Sequence, residues 1–229
     1  MPYANPSLTE IFVELRTEPG GLGLQESSQI ATKLQTRLGA PMEWTQAVGP
    51  GLIEPRIRCW STERRELVQL GPDLFVVNRL GPYLGWDSFM ELFGWALGVV
   101  TEVSPAFTPA TVALSTVDGI DAPRDGFTMG RYLACGGRFV PGWYADVRDA
   151  SDINLGRGTI DENAYNRQAS IAVRMAPERA LVQLNVMLQE RIGGTSDLLG
   201  VLARLHDESN QMFEDIISDG TRALMGGKV

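Results

Sequence analysis

The residues able to do chemistry are few. His206 is the only histidine in 229 residues, so two- and three-histidine metal sites are excluded. It stands beside Asp207 in a helical stretch, where a solvated or capping role fits better than catalysis. Cys59 and Cys135 are far apart and form no CxxC pair, so they read as reduced, buried small hydrophobes. Carboxylates offer the remaining route. Asp118, Asp121 and Asp125 share one loop, and Asp146, Asp149 and Asp152 recur at intervals of three in another. A carboxylate enzyme would need at least two of Asp118, Asp121, Asp146 and Asp149 to converge within about 4 Å. Without D-x-D spacing or an E-x-x-H partner, these residues read as solvated loops. Gly20, Gly21 and Gly23 lie between a strand and a helix, where a phosphate loop would sit, but neither G-x-G-x-x-G nor G-x-x-x-x-G-K-[ST] is present. A weak anion site near Gly21 or a plain turn fits that spacing.

Aromatic residues point toward binding instead. Trp44, Trp60, Trp86, Trp95 and Trp143 are many for this length. Tyr83 and Trp86 flank the Gly81–Gly85 turn, close to Arg79 and Phe89. Arg79, Tyr83, Trp86 and Phe89 are therefore the candidate binding residues, lining a pocket or an interface hot spot. The competing role is structural, with Trp86 and Phe89 stapling the entry of the next helix. The sequence points away from catalysis and implies neither metal nor cofactor.

Charge and composition agree with this. The net charge is −8 and the pI about 4.8. Nucleic-acid binders gather cations to displace phosphate counterions, and this balance runs against such a partner. Only Lys33 and Lys228 are lysines among 20 basic residues, an arginine bias that suits either a GC-rich coding genome or bidentate anion recognition. With 44% hydrophobic and 21% charged residues, the chain has ordinary globular composition. The most apolar stretch, 89–103, is too short to span a bilayer and contains Glu91 and Glu102. The expectation is a cytoplasmic protein with a protein partner or a homo-oligomeric state, and no membrane contact.

The elements that position these residues follow from periodicity. A strand is expected over 11–18, then a helix over 26–38 with Ile30, Leu34 and Leu38 on one stripe. Strands at 56–61, 66–70 and 73–79 are joined by turns too short for a parallel crossover, so they form an antiparallel meander. A helix begins near Asp87 and buries Phe89, Leu92, Phe93, Ala96 and Val100. A strand at 111–117 follows, and 118–168 places strands only weakly. Residues 169–175 and 180–188 make a hairpin. A helical region closes the chain over 196–225, with Gly220 marking a break. The fold class is α+β: an antiparallel, meander-rich sheet with helices on one face. It forms one domain over 1–229, or two duplicated halves, 1–105 and 106–229. The duplication rests on an echo between Glu63-Arg-Arg-Glu-Leu-Val-Gln-Leu70 and Glu178-Arg-Ala-Leu-Val-Gln-Leu184.

Several blocks carry a family likeness: Glu10 to Arg16, Val68 to Leu80 with Pro82-Tyr83 and Gly85 to Phe89, and Leu205 to Phe213 with Ile217 to Met225. On these the chain resembles an uncharacterised, sporadically distributed family of bacterial and archaeal proteins. That resemblance implies no catalytic residue. Its patchy distribution is similar to that of mobile, accessory or phage-defence genes. The functional expectation is thus a non-enzymatic interaction module, such as an accessory or antitoxin-like subunit, binding through the Tyr83–Trp86 turn and the C-terminal helix. The alternative is a small-molecule or anion-binding protein with an aromatic-lined pocket.

Overall fold

The computed structural model describes residues 3–4, 6–49, 52–148, 153–160, 166–195 and 197–227, and side chains outside 47–54 and 153–160. The fold is α+β on antiparallel strands. The chain forms two compact units, one of 10–114 with 189–202, the other of 1–9, 115–188 and 203–229.

The first unit contains β1 (Leu8–Thr17, from Glu10 onward), α1 (Leu24–Leu38), β2 (Glu43–Gly49), β3 (Leu52–Trp60), β4 (Glu66–Gly71), β5 (Leu74–Leu80) and α2 (Trp86–Val103). Its strands lie in the order β2-β3-β4-β5-β1. The meander expected over 56–79 is present. β2 is an additional strand that the periodicity reading left out, because its seven residues mix polar and apolar types at a sheet edge. Pairing registers place Cys59, Val68, Val77 and Val13 in one row and Ile57, Leu70, Phe75 and Leu15 in the next. Every side chain in both rows is buried. These rows face the helices: α1 packs on β3 and β4, while α2 packs on β5 and on α1. On the opposite face a polar chain crosses four strands. Arg58 donates to Gln69 (3.3 Å), Gln69 to Asn78 (3.2 Å) and Asn78 to Glu10 (2.7 Å). Buried amides must find partners, and here they find one another.

Helix α2 buries Phe89, Leu92, Phe93, Ala96 and Val100, the stripe that its spacing predicts. Gly85 precedes it at φ 99°, a conformation that side chains disfavour, so glycine sets the angle at which the 81–85 turn enters the helix.

The second unit contains β6 (Pro109–Pro123, from Ser115 onward), α3 (Met129–Tyr132), a 3-10 turn at Gly142–Tyr144, β7 (Ile153–Ile160), β8 (Asn166–Met175), β9 (Arg179–Arg191, to Leu188), α4 (Leu198–Ile216, from Ala203) and α5 (Asp219–Leu224). Strand order is β6-β9-β8-β7. β9 alternates cleanly, burying Ala180, Val182, Leu184, Val186 and Leu188. α4 is tied to β6 by a buried Thr116–Ser209 hydroxyl contact (3.2 Å) and to the start of β8 by an Arg167–Glu208 ion pair (2.6 Å). The helical break falls between Ile216 and Asp219, ahead of Gly220, which lies inside α5. Gly220 is needed for another reason: a Cβ there would stand 2.1 Å from the Arg131 carbonyl oxygen. The Ser218 hydroxyl also bonds Arg131 O, and Thr221 Oγ1 donates to Tyr132 O at 2.5 Å, so α5 is seated on α3.

The two units share an order of events. A first strand is followed by an excursion and a meander, the last meander strand lies beside the first strand, and a helix comes next. The echoing segments hold different places in that order. β4 is one strand removed from β1's neighbour, whereas β9 is itself the neighbour of β6.

Candidate functional site

Arg79 and Glu66 are direct cross-strand neighbours on the helix-bearing face of the first unit. They form an ion pair, and Arg79 is only 8% exposed. Its other guanidinium nitrogen donates to Ser88 Oγ at 2.6 Å, in the first turn of α2. A buried guanidinium with two polar partners fastens the helix to the sheet. Tyr83 is half-buried, and its hydroxyl is pushed up to about 12, mainly by burial and then by the Asp87 carboxylate, with Arg79 acting in the opposite sense. Trp86 leans on Phe89 with ring centroids 5.8 Å apart, and Phe89 is fully buried. Of the four candidate binding residues, Phe89 thus belongs to the core, Trp86 covers it, and Arg79 is engaged internally.

Beside this cluster an open cleft of about 330 Å³ lies between the end of α1, the 61–66 turn and the 80–84 turn. Its lining includes Arg37, Arg65, Arg79, Glu63, Pro82 and Leu84. Leu84, which the sequence reading passed over, is 67% exposed at the rim. Arg37 stacks over Trp95, 4.6 Å from the ring centroid, and its nearest carboxylate, Glu91, is 3.7 Å away. Arg65 has Glu63 at 3.8 Å. Such long, exposed pairs hold little energy, so both guanidiniums can turn to an incoming anion. The 61–66 turn is held by one of its own side chains: the Ser61 hydroxyl accepts from the amides of Arg65 and Glu66 at 3.1 and 3.0 Å, and Arg64 adopts φ 57°. Tyr83 and Trp86, the aromatics expected in a pocket, are not part of the cleft lining.

Several of the remaining chemical candidates are engaged within the chain. The amides of Gly20 and Gly21 donate to Asp73 Oδ1 at 2.6 and 3.4 Å, and that of Gly23 donates to Glu26 at 2.8 Å. The protein's own carboxylates fill the place that an anion near Gly21 would take. Asp118 is 6% exposed, accepts the Ser7 hydroxyl at 2.7 Å, and is pushed up to about 6 by burial, against the effect of that hydrogen bond. Asp121 pairs with Arg179 at 2.7 Å, Asp146 is exposed, and Asp149 and Asp152 lie outside the described residues. Among the described residues no group of three or more His, Cys, Asp or Glu could hold a metal ion. Burial pushes the Cys59 thiol up to about 12 and raises that of Cys135, which disfavours the nucleophilic thiolate in both. Burial lowers the pKa of His206. The apolar stripe of the C-terminal helix, Leu198, Leu202, Leu205, Met212 and Ile216, is buried, leaving Leu199 exposed. Among the described residues no helix is long and apolar enough to cross a membrane.

No family model matches the chain, and no curated protein matches it.

Proposed function

We propose that this protein is a non-enzymatic interaction module that takes an acidic, apolar-containing segment of a partner protein into the cleft beside the 81–85 turn. One observation carries this reading: Leu84 stands 67% exposed at the rim of an open cleft that also presents Arg37 and Arg65. An apolar anchor beside loosely paired guanidiniums suits a segment that offers one hydrophobic side chain and a carboxylate. The buried Arg79–Glu66–Ser88 cluster supports the reading by holding the floor of the cleft rigid, which lowers the ordering cost of binding. The lining carries no aromatic ring, so the geometry favours this reading over an aromatic-lined small-molecule pocket. A partner of this kind agrees with an accessory or antitoxin-like role.

The test is comparative affinity purification from the native host with the wild type, Leu84→Asp and Arg65→Glu. Both substituted residues are exposed, so the fold should persist. A partner retained by the wild type and lost by both variants supports the module. No partner, or one retained equally by all three proteins, overturns it.

A further inference from the structure

The hydrogen-bonding sense of β2 can be followed from the far side of the sheet. β4 and β5 are joined by the two-residue turn Pro72-Asp73, which closes on the Gly71–Leu74 pair. Bonded and non-bonded pairs alternate from such a closing pair. Leu70–Phe75 is therefore non-bonded across β4–β5, and Leu70 turns its N–H and C=O toward β3. Its partner Ile57 turns its own groups toward β4. Trp44, paired with Ile57, must then point its backbone groups away from β3, and so must Gln46 and Val48 at the same phase. Pro55 gives independent support. It sits opposite Gln46 with no N–H to offer β2, and its carbonyl oxygen lies on the β4 side, 3.5 Å from where a Cβ on Gly71 would be.

β2 is the last strand in the order of its unit, so among the described residues the outward groups of residues 44, 46 and 48 line an open edge. Natural edges are usually blunted by Lys, Pro or a bulge. Glu43-Trp-Thr-Gln-Ala-Val-Gly49 contains neither Lys nor Pro, and its pairing with β3 runs without a bulge. Its single charge, Glu43, is held on its own chain by Arg64 at 2.7 Å and by the Trp60 indole at 3.2 Å. Trp44 is 54% exposed on this strand.

We propose that β2 is a self-association edge, at which a second copy of this chain adds its own β2 antiparallel about a two-fold axis through Gln46. A second copy satisfies these positions: one axis through residue 46 brings 44 opposite 48, 46 opposite 46 and 48 opposite 44, with every outward group answered. An edge whose single charge is already paired on its own chain presents no free charge to a charged partner segment. Such an interface is isologous and closed. The same register sets Glu43 opposite Gly49 and keeps the two Glu43 carboxylates about 20 Å apart, at roughly 3.4 Å per residue. No like charges meet, and Trp44 moves from solvent into the join. This edge is separate from the cleft proposed for the partner segment, and neither reading depends on the other.

Light scattering on the full chain in about 0.15 M salt, where the repulsion between two copies of charge −8 is screened, should give a mass of about 50 kDa, twice the 25.0 kDa of one chain. Gln46→Pro removes an outward N–H without touching the β2–β3 ladder, and Gln46→Lys sets two ammonium groups against each other. Each should raise the dimer dissociation constant at least about tenfold. The register has its own readout. Gln46→Cys should cross-link between chains on mild oxidation, because opposed residues in a bonded antiparallel pair have Cα atoms about 5.5 Å apart. Glu43→Cys should not cross-link above the wild-type level. A monomer across about 1 to 100 µM overturns the proposal. So does a dimer that neither Gln46 substitution weakens, or equal cross-linking at positions 43 and 46.

Discussion

Replacing Asp118 with asparagine should stabilise the protein at neutral pH, and the size of the effect follows from burial. In the fold this carboxyl titrates near 6, whereas its ordinary value is 3.8. The folded state therefore binds the proton more tightly than the unfolded chain does. The stability this provides is fully present below about pH 3.8 and is lost as pH rises through about 6. One pH unit between those values is worth about 1.4 kcal/mol, so holding the ionised carboxylate at pH 7.5 costs the fold about 3 kcal/mol. Asparagine keeps an oxygen to accept the Ser7 hydroxyl at similar geometry, but it brings an amide N–H₂ into the same buried place, at a cost of about 1–2 kcal/mol. The net expectation for Asp118→Asn is a gain of about 1–2 kcal/mol at pH 7.5, or about 2–8 °C in Tm for a chain of this size. At pH 4 the advantage should vanish or reverse. Urea unfolding of both proteins at half-unit steps from pH 4 to 8 reads this directly, with the difference between the curves growing between pH 4 and 6. A variant less stable than the wild type at pH 7.5, or a difference that does not change with pH, would show that the carboxylate is ionised and well partnered, and the burial argument would fail.

Arg79→Met should destabilise by about 2–3 kcal/mol, because it strands the Glu66 carboxylate, while Arg79→Met with Glu66→Gln should recover part of that loss in a double-mutant cycle followed by urea unfolding. Gly220→Ala should cost more than about 2 kcal/mol, since its Cβ would collide with the Arg131 carbonyl oxygen. Gly94→Ala in α2, where a Cβ meets nothing within 4 Å, should instead raise stability by about 0.5–1 kcal/mol; both appear as opposite shifts in thermal melts. At pH 8 under native conditions, a thiol reagent should modify Cys135 well before Cys59, whose thiol is fully buried and titrates near 12; mass spectrometry of the labelled peptides checks the order.

Local patterns in the sequence were sufficient for α1, α2, α4 and most strands, but not for the short α3. The α2 stripe at 89, 92, 93, 96 and 100 and the period-two alternation of β9 each depend on a single spacing repeated over several turns or pleats. β2 escaped that reading because its residues alternate weakly, and its pairing with β3 comes from a register set elsewhere in the sheet. Sequence alone puts the helical break at Gly220, since glycine ends helices more often than isoleucine or serine does. In the fold the glycine is spent on a close approach between α5 and α3.

The candidate site was half legible. A glycine-bounded turn with Arg79, Tyr83, Trp86 and Phe89 around it points to the neighbourhood of the proposed cleft, because such turns join strand to helix and bring polar and aromatic groups together. Sequence spacing could not say that Arg79 turns inward to Glu66 and Ser88, that Trp86 covers Phe89, or that Leu84 between them is left in solvent. Those outcomes depend on which face of β5 receives α2 and on Glu66 arriving opposite Arg79. By itself the sequence determined the α+β class, the antiparallel meander and the scarcity of nucleophiles, since each is a matter of local period or residue type. Only the tertiary structure decided that the glycine amides near residue 21 are taken by Asp73 and Glu26, that the cleft is lined by arginines, and that β2 is left as an edge. Strand order and cross-strand register are non-local, and a residue's neighbours across a sheet are set by the pairing of strands many residues apart.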